Sequence, residues 1–597
     1  MDIAPLDWFI LGAYLVIITG IGLFVGLRVR QSGDYFLGGR RFGPWLMIGQ
    51  SFGVGTHAEM PVALAGAVYS IGASAIWFQW KNLFITPFYW IMAPIFRRIR
   101  RTTMAEFTED RYGSWMGAIY IVFALCFFII NTGSMLKGAG KVISQAAGGT
   151  VDANEIVVAM TVMFILYSFV GGLIAAAWTD LFQGALIILL SFMLIPLGWT
   201  VVGGLDGMKA SLEPFRFSLA TPSGIGPWVI LMLTVNGLVG IMAQPHQLAT
   251  VGTGRDERTC RIGMLFGNFV KRVCTVGWAL VGLIVAAMVA QGLADGASLG
   301  DPENAFGFAC RQLLFPGALG LLIASILAAN MSTCSAFLVS SGALFTEGLY
   351  RRRLVPGRPD RHYLWIGRIS GFVITMLGVL YALFLIQSVL YTFLLTETLA
   401  TFVGISILGG IIWPRANRWG ALASLLTALT TNFLLYYVTG QRLDHWDANV
   451  FLAALLAGIG ALVVVSLVTP PEPAESLSSF FGRLQVPSDE PGPITAPGDV
   501  DNPLPPGAAF PHHRSAETRR PGTTVFDVEP AGHAAAALAT DRPLLLVNLL
   551  RLRAAAAGRG WRAYREDLGG FVLGWAMVLA LVAATIGFLS GGEIPNP

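Results

Sequence analysis

Long apolar stretches recur along most of the chain, separated by short segments rich in charge, glycine or proline. A helix of roughly 20 apolar residues covers the ~30 Å hydrocarbon thickness of a bilayer. About fourteen such spans can be delimited: 6–29, 43–71, 73–96, 114–146, 154–173, 176–203, 226–250, 262–292, 306–349, 362–385, 387–413, 417–439, 446–469 and 568–590. Numbered 1 to 14 in that order, they predict an all-α polytopic membrane protein. No basic region precedes span 1 and no small-residue cleavage site comes after it, so it reads as a retained span rather than a removed signal.

Basic residues in the short loops set the orientation. With the N-terminus outside, the inside loops hold Arg28, Arg30, Arg40, Arg41, Arg97, Arg98, Arg100, Arg101 and Arg111. Further along they hold Arg255, Arg258, Arg261, Arg351, Arg352, Arg353, Arg358, Arg361, Arg415 and Arg418. Against these nineteen stand three outside, Lys209, Arg216 and Arg442. A missed or invented span would scramble that asymmetry. It predicts a multi-pass protein of the inner or plasma membrane with the N-terminus outside and residues 470–567 cytoplasmic.

Composition adds a boundary. The 597 residues are 55% hydrophobic and 12% charged, and the net charge of +4 gives no sign of a nucleic-acid partner. From about Pro470 to Arg542 large apolar residues become scarce, as in PSDEPGPITAPGDVDNPLPPG, which predicts a disordered cytoplasmic linker at 470–542. Residues 543–567 mix leucines with arginines and read as a basic amphipathic helix, lying on the inner leaflet or packed against the membrane body. This tail could also recruit a cytoplasmic partner. Span 14, at 568–590, ends the pattern.

Two spans are interrupted. Span 2 carries GVGTHAEMP at mid-depth, and span 7 carries NGLVGIMAQPHQ. They lie five spans apart, each the first member of a possible five-helix set, and an odd repeat inverts the second copy. Matched discontinuous helices in inverted repeats point to the substrate and ion site of many ion-coupled transporters. Unwound backbone is tolerable at membrane depth only around a cavity or bound ligand. Glycines at either place alone would also serve close helix packing.

Span 9 reads ASILAANMSTCSAFLVSSGALFTEGLY and crowds hydroxyls on one helix. Single serines there bond their own carbonyls. Adjacent Ser332 and Thr333, with Ala329 one turn back, can instead present two hydroxyls and a carbonyl to Na⁺. Span 6 carries Asp180, where an ionised carboxylate is costly and marks either a functional group or a structural pair. Other buried charges are Glu59, Lys81, Lys137, Lys141, Lys271 and Glu397. Glu59 and Lys81, on successive spans, are candidates to neutralise each other. Cys126, Cys260, Cys274, Cys310 and Cys334 form no CxxC pair. Neither a Ser-His-Asp order nor a phosphate-cradling loop occurs, since GAGK at 138–141 lacks the Walker spacing, so no enzyme and no metal beyond sodium are expected.

Taken together, DYFLGGRRFGPW (34–45), GGLIAAAWTDLFQG (171–184), AQPHQLA (243–249) and AANMSTCSAFLVSSGALFTEGLY (328–350) resemble the sodium:solute symporter family over about residues 6 to 469. Its members include sodium/proline, sodium/pantothenate and sodium/sugar symporters, and AQPH with NMST looks closest to the proline branch. The resemblance implies a leucine-transporter-like fold with inverted repeats at about 43–203 and 226–413, within a transmembrane domain at 1–469. It implies Na⁺ as coupling ion on the carbonyls of Gly53 and Thr56 and on Ala329, Ser332 and Thr333. It also implies a possible second cation site between the Ser/Thr pair and Asp180. Substrate positions of sugar-transporting relatives fall on Met60, Gln79, Asn82, Gly237 or its neighbour Asn236, and Lys271. Only Lys271 keeps the residue type: Gln79 stands for a glutamate and Met60 for a glutamine or histidine. Gly55 stands where proline transporters carry an aspartate, and His57 where they carry a serine.

The expectation is therefore sodium-coupled symport of a small organic solute by alternating access. His57, Glu59 and Lys81 join the resemblance-derived positions as solute-site candidates. His57, Lys81 and Lys271 lean towards an anionic or hydroxyl-rich solute. Two alternatives stay open: a membrane sensor built on a transporter body, and coupling to H⁺ through Asp180, Glu59 or His57.

Overall fold

The computed structural model describes residues 4–26, 32–222, 224–386, 388–440, 446–488, 542–551 and 560–591. These are helical apart from turns and one isolated bridge between Phe42 and Gly254. Ten of the described helices are long and apolar enough to cross a membrane, and Glu59–Ile71, Ala153–Leu166 and Pro227–Ala243 are shorter apolar pieces. The fourteen expected spans are not all single long helices among the described residues: besides the expected interruptions of spans 2 and 7, spans 3 and 9 are divided, and spans 5 and 6 run on as one element.

Span 2 divides into Pro44–Val54 and Glu59–Ile71, and span 7 into Pro227–Gly240 and His246–Val251. Span 3, expected as one helix over 73–96, is also divided: a short segment to Trp80, then turns, then Thr86–Arg98. Pro87 opens the second piece, where its missing N–H costs nothing. Span 9, expected over 306–349, is two elements, Ala305–Leu313 and Ala318–Phe345. Gly317 breaks them at φ 90°, and the buried carboxylate of Asp7 accepts from the N–H groups of Gly317 (2.7 Å) and Gly320 (2.6 Å). A carboxylate there satisfies orphan donors and complements the positive end of the helix dipole. Spans 5 and 6 run on as Ala153–Phe192 across a bend at Gly172 (φ 57°, ψ −153°). A Cβ on Gly172 would sit 2.7 Å from the Tyr35 carbonyl oxygen, so the bend needs glycine.

Burial sorts the spans. The most apolar window of Ala318–Leu354 is entirely enclosed, whereas Pro5–Gly26 is mostly exposed, with Trp8, Phe9 and Val16 outward as a lipid-facing surface requires. Span 9 is thus the hub, packed on spans 1, 4, 5, 6 and 10. Span 8 packs on both halves of span 2 and on span 3, and span 7 packs on span 11.

The arginine-bearing loops meet at one end of the bundle. Arg40 donates to the Arg101 carbonyl, Arg352 pairs with Glu106, and Arg111 donates to the carbonyls of Gly410 and Ala416. The tail joins the same end. In the stretch read as a disordered linker, Ala474–Gln485 is a helix that buries Phe480 and Leu484, with the Phe480 ring edge-on to Phe107. The linker reading is therefore corrected over 474–485; residues 489–541 lie outside the described residues. The basic amphipathic helix expected at 543–567 is not continuous where described. Leu545–Asn548 are turn, Leu549–Arg551 and Gly560–Tyr564 are 3-10 segments, and the final helix starts at Arg565; residues 552–559 lie outside the described residues. Leu544 and Val547 are buried, and Asp567 pairs with Arg261 at 2.5 Å. The final helix, Arg565–Ser590, lies along span 3, with Trp575 stacked on Phe84.

Candidate functional site

The break in span 2 lies against the middle of span 9. Helical hydrogen bonding stops at Val54, and residues 55–58 are turn and irregular before the helix resumes at Glu59. Asn330 holds the break open: its Oδ1 accepts from the Ala58 N–H at 3.1 Å while its Nδ2 donates to the Met135 carbonyl at 2.7 Å. Asn330 stands inside the NMST run, yet nothing in that run singles it out beside the hydroxyls.

The Thr333 hydroxyl lies 3.2 Å from the Gly53 carbonyl, 3.3 Å from that of Val54 and 3.5 Å from that of Ala329. One hydroxyl donates a single proton, so two of these three oxygens keep lone pairs free beside it. The Ser332 hydroxyl gives its proton to Asp180 Oδ1 at 2.5 Å, with its oxygen beside Gly53. Gly53 packs directly on that pair: a Cβ there would meet Ser332 Oγ at 2.6 Å and Asp180 Cβ at 3.2 Å. Gly53, Ala329, Ser332, Thr333 and Asp180 thus form one buried group, and Thr56 adjoins it through its N–H to the Gly53 carbonyl (3.2 Å).

A second group surrounds the break from Gly55 to Glu59. His57 Nδ1 contacts Glu59 Oε1, and Lys271 donates to the Gly55 carbonyl freed by the unwinding. Lys81 pairs with Glu397 Oε2 at 3.4 Å and lies 4.6 Å from the centre of the Phe393 ring. The expected mutual neutralisation of Glu59 and Lys81 is corrected here. Each is paired elsewhere, because span 3 faces span 11 at this depth while Glu59 turns back on its own break. The other oxygen of Glu397 accepts from Gln244 Nε2 at 2.9 Å, and Gln247 donates to Gln244 at 3.2 Å. The break of span 7 therefore reaches the same cluster. It is held by Tyr120, whose hydroxyl donates to the Ala243 carbonyl at 2.7 Å. His246 lies within electrostatic reach of His57 and Lys271, its ring against Phe337.

Of the remaining candidates, Met60 and Gln79 are buried, and the Gln79 carbonyl accepts from Arg272 at 3.0 Å. A side chain on Gly237 would run into Asn82, and the Asn236 carbonyl accepts from Thr401 at 2.7 Å. Among the described residues, seven buried side-chain atoms without a hydrogen bond lie here: Thr56 Oγ1, Glu59 Oε2, Lys81 Nζ, Asn82 Oδ1, Asp180 Oδ2, Asn236 Nδ2 and His246 Nδ1. Such atoms are rare in a folded interior and costly unless a ligand or water meets them. Lys137 and Lys141 fall outside the group, bonded to Asn154 and to Glu303. The described residues hold no cluster of three or more His, Cys, Asp or Glu side chains able to bind a metal ion.

Known proteins share this sequence pattern and this fold. A family model described as the sodium:solute symporter family matches residues 35–428. The chain is 28% identical over 493 residues to the osmoregulated proline transporter OpuE of Bacillus subtilis, covering 80% of this chain and 97% of that protein. It is 26% identical to the high-affinity proline transporter PutP of the same organism, covering 78% and 98%. Among solved structures, an outward-open Na⁺-coupled sialic acid symporter superimposes with a TM-score of 0.67 at 17% identity, over 79% of this chain and 99% of that one. At that identity the likeness speaks for the fold alone.

Proposed function

The chain belongs to the sodium:solute symporter family, and from that premise we propose how its residues couple Na⁺ to the uptake of a small organic solute. Sodium enters from the outside and bridges span 2 to span 9. Its ligands are the carbonyls of Gly53, Thr56 and Ala329 and the hydroxyls of Ser332 and Thr333, with Asp180 beside them as a second cation position. The observation that carries this reading is the Thr333 hydroxyl lying within 3.5 Å of three backbone oxygens at a helix break. Freed carbonyls and a neutral hydroxyl are the donor set that unwound membrane helices offer to Na⁺.

Bound Na⁺ fixes residues 53–58 in one conformation, and the solute sits beside that segment. His57, Glu59, Met60, Gln79, Lys81, Asn82, Asn236, Gly237 and Lys271 line its position. The inverted repeats at about 43–203 and 226–413 then rock against each other, closing the outer path and opening the inner one. The N-terminus is outside, and the arginine-rich end with the tail is cytoplasmic. Inward movement of each Na⁺ is driven by its gradient and by the potential, worth about 2.3 kcal/mol per charge per 100 mV. Linkage requires that Na⁺ tighten solute binding and that solute tighten Na⁺ binding by the same factor.

Proteoliposomes carrying the purified chain test this reading. An inward Na⁺ gradient should drive solute accumulation, and Thr333→Ala should raise the Na⁺ concentration needed for half-maximal uptake. Accumulation driven by a pH gradient without Na⁺ would overturn sodium coupling. A wild-type Na⁺ dependence in Thr333→Ala would overturn the site.

A further inference from the structure

The charges around the two helix breaks do not balance. Lys81, Lys271 and Arg272 bring three cations to this depth, and Glu59 and Glu397 bring two carboxylates, all five buried. Lys81 is matched by Glu397. Glu59 is matched by His57, and whichever charge state His57 takes leaves a positive surplus. Lys271 lies within electrostatic reach of Glu397 and Glu59, yet its one hydrogen bond goes to the neutral Gly55 carbonyl. Among the described residues no carboxylate stands within ion-pair distance of it. Arg272 likewise donates to a neutral oxygen, the Gln79 carbonyl. Asp180 belongs to the ion group, bonded to Ser332 beside Gly53, and bound Na⁺ offsets its charge.

Resting on the solute position given above, we infer that the cargo is a small monocarboxylate, its carboxylate seated on Lys271 at the unwound Gly55. A buried ammonium bonded to one neutral oxygen is poorly compensated, and a carboxylate supplies both the missing charge and acceptors for its two remaining N–H groups. A neutral sugar leaves the surplus in place. So does a zwitterion, whose ammonium adds as much positive charge as its carboxylate removes. Glu59 Oε2 and Asn82 Oδ1, buried acceptors without partners, suit a hydroxyl on the same molecule and favour a hydroxycarboxylate such as lactate over an unsubstituted chain. Na⁺ and anion reinforce each other electrostatically, because the segment that joins their positions is only residues 53–59.

Thermal denaturation of the purified full chain decides the matter, run with and without Na⁺ against acetate, propionate, pyruvate, L-lactate, L-proline and glucose. The expected result is Na⁺-dependent stabilisation by at least one carboxylate, with L-proline and glucose at least tenfold weaker. Lys271→Met should weaken that response tenfold or more while Lys271→Arg keeps most of it, and both should retain the shift produced by Na⁺ alone, which reports an intact fold. Stabilisation by L-proline or glucose at comparable concentrations, or no response to any carboxylate while the Na⁺ shift persists, overturns the cargo class and leaves sodium coupling standing. Absence of any Na⁺ shift in the wild-type chain overturns the sodium reading itself.

Discussion

The Ser332 hydroxyl donates to one oxygen of Asp180 across 2.5 Å, and the other oxygen of that carboxylate is buried without a partner. The pair joins span 9 to span 6 directly beneath Gly53. A carboxylate enclosed in this way is expensive unless a cation or further donors meet it. Asp180→Asn keeps the size and an acceptor for Ser332 but removes the charge. It should raise the Na⁺ concentration for half-maximal thermal stabilisation by about tenfold, the loss of about 1.4 kcal/mol. An unchanged Na⁺ titration in a folded Asp180→Asn chain would make the carboxylate structural.

Thr333 does a different job from its neighbour. Its hydroxyl reaches the carbonyls of Gly53, Val54 and Ala329 together, across the break. Thr333→Ala should raise the Na⁺ requirement of uptake about fivefold, consistent with losing roughly 1 kcal/mol from one neutral ligand. Thr333→Ser keeps the hydroxyl and should restore the wild-type requirement. Failure of serine to rescue would show that the methyl group's packing, rather than the oxygen, matters.

At Gly53 the contact is steric. A Cβ placed there would lie 2.6 Å from Ser332 Oγ, and that hydroxyl is tied to Asp180. Gly53→Ala should therefore push span 2 from span 9, costing about 1–3 kcal/mol as overpacking does. Lower thermal stability and weaker Na⁺ binding should appear together. A variant as stable as the wild type would mean that the break relaxes freely.

Much of this site is legible in the amino-acid sequence, for physical reasons that differ by residue. Gly53, Gly55 and Pro61 in one span, and Gly237, Gly240 and Pro245 in the other, cannot sit in lipid without a compensating cavity, so both breaks are visible. Ser332 and Thr333 stand out because two adjacent hydroxyls, with the Ala329 carbonyl one turn back, form an oxygen set that a hard cation can use. Pairings are not legible. Glu59 turns to His57 and Lys81 to Glu397, choices set by which spans face each other at that depth. The interruption of span 3 is hidden because WFQWKNLF carries no glycine or proline to mark a break, although Gln79, Lys81 and Asn82 put three polar groups in it. The helix at Ala474–Gln485 is hidden by the proline-rich composition of the residues after it, which outweighs Phe480, Phe481 and Leu484. Asp7 is hidden in the opposite way, an isolated acid near the N-terminus whose partners lie on span 9, more than three hundred residues away.

The Lys81–Glu397 pair is buried, so breaking it from one side should cost far more than removing both charges. Glu397→Gln or Lys81→Met alone should destabilise the chain by about 3–5 kcal/mol, and Lys81→Met with Glu397→Gln together by much less than the sum. A double-mutant cycle on thermal denaturation measures the difference. Additive losses would show that Gln244 and Phe393, rather than the ion pair, carry the interaction.

Arg98 ties together several distant parts of the chain at the arginine-rich end. Its guanidinium pairs with both oxygens of Glu257 at 2.8 and 2.9 Å, and donates to the carbonyls of Leu484 (3.1 Å) and Arg542 (2.9 Å). Glu257 opens span 8 and also accepts from the Ser488 N–H at 2.9 Å. One side chain therefore holds the end of span 3, the start of span 8 and two separate pieces of the tail. Only a planar fork can serve a bidentate carboxylate and two carbonyls at once, so lysine is no substitute. Arg98→Lys and Arg98→Ala should both release the tail, seen as faster amide exchange across residues 474–488, while exchange in span 9 stays slow. Because Phe480 still packs on Phe107, release should be partial, and Phe480→Ala combined with Arg98→Ala should complete it. Exchange in 474–488 that is as slow in Arg98→Ala as in the wild type would mean that the aromatic contact alone docks the tail.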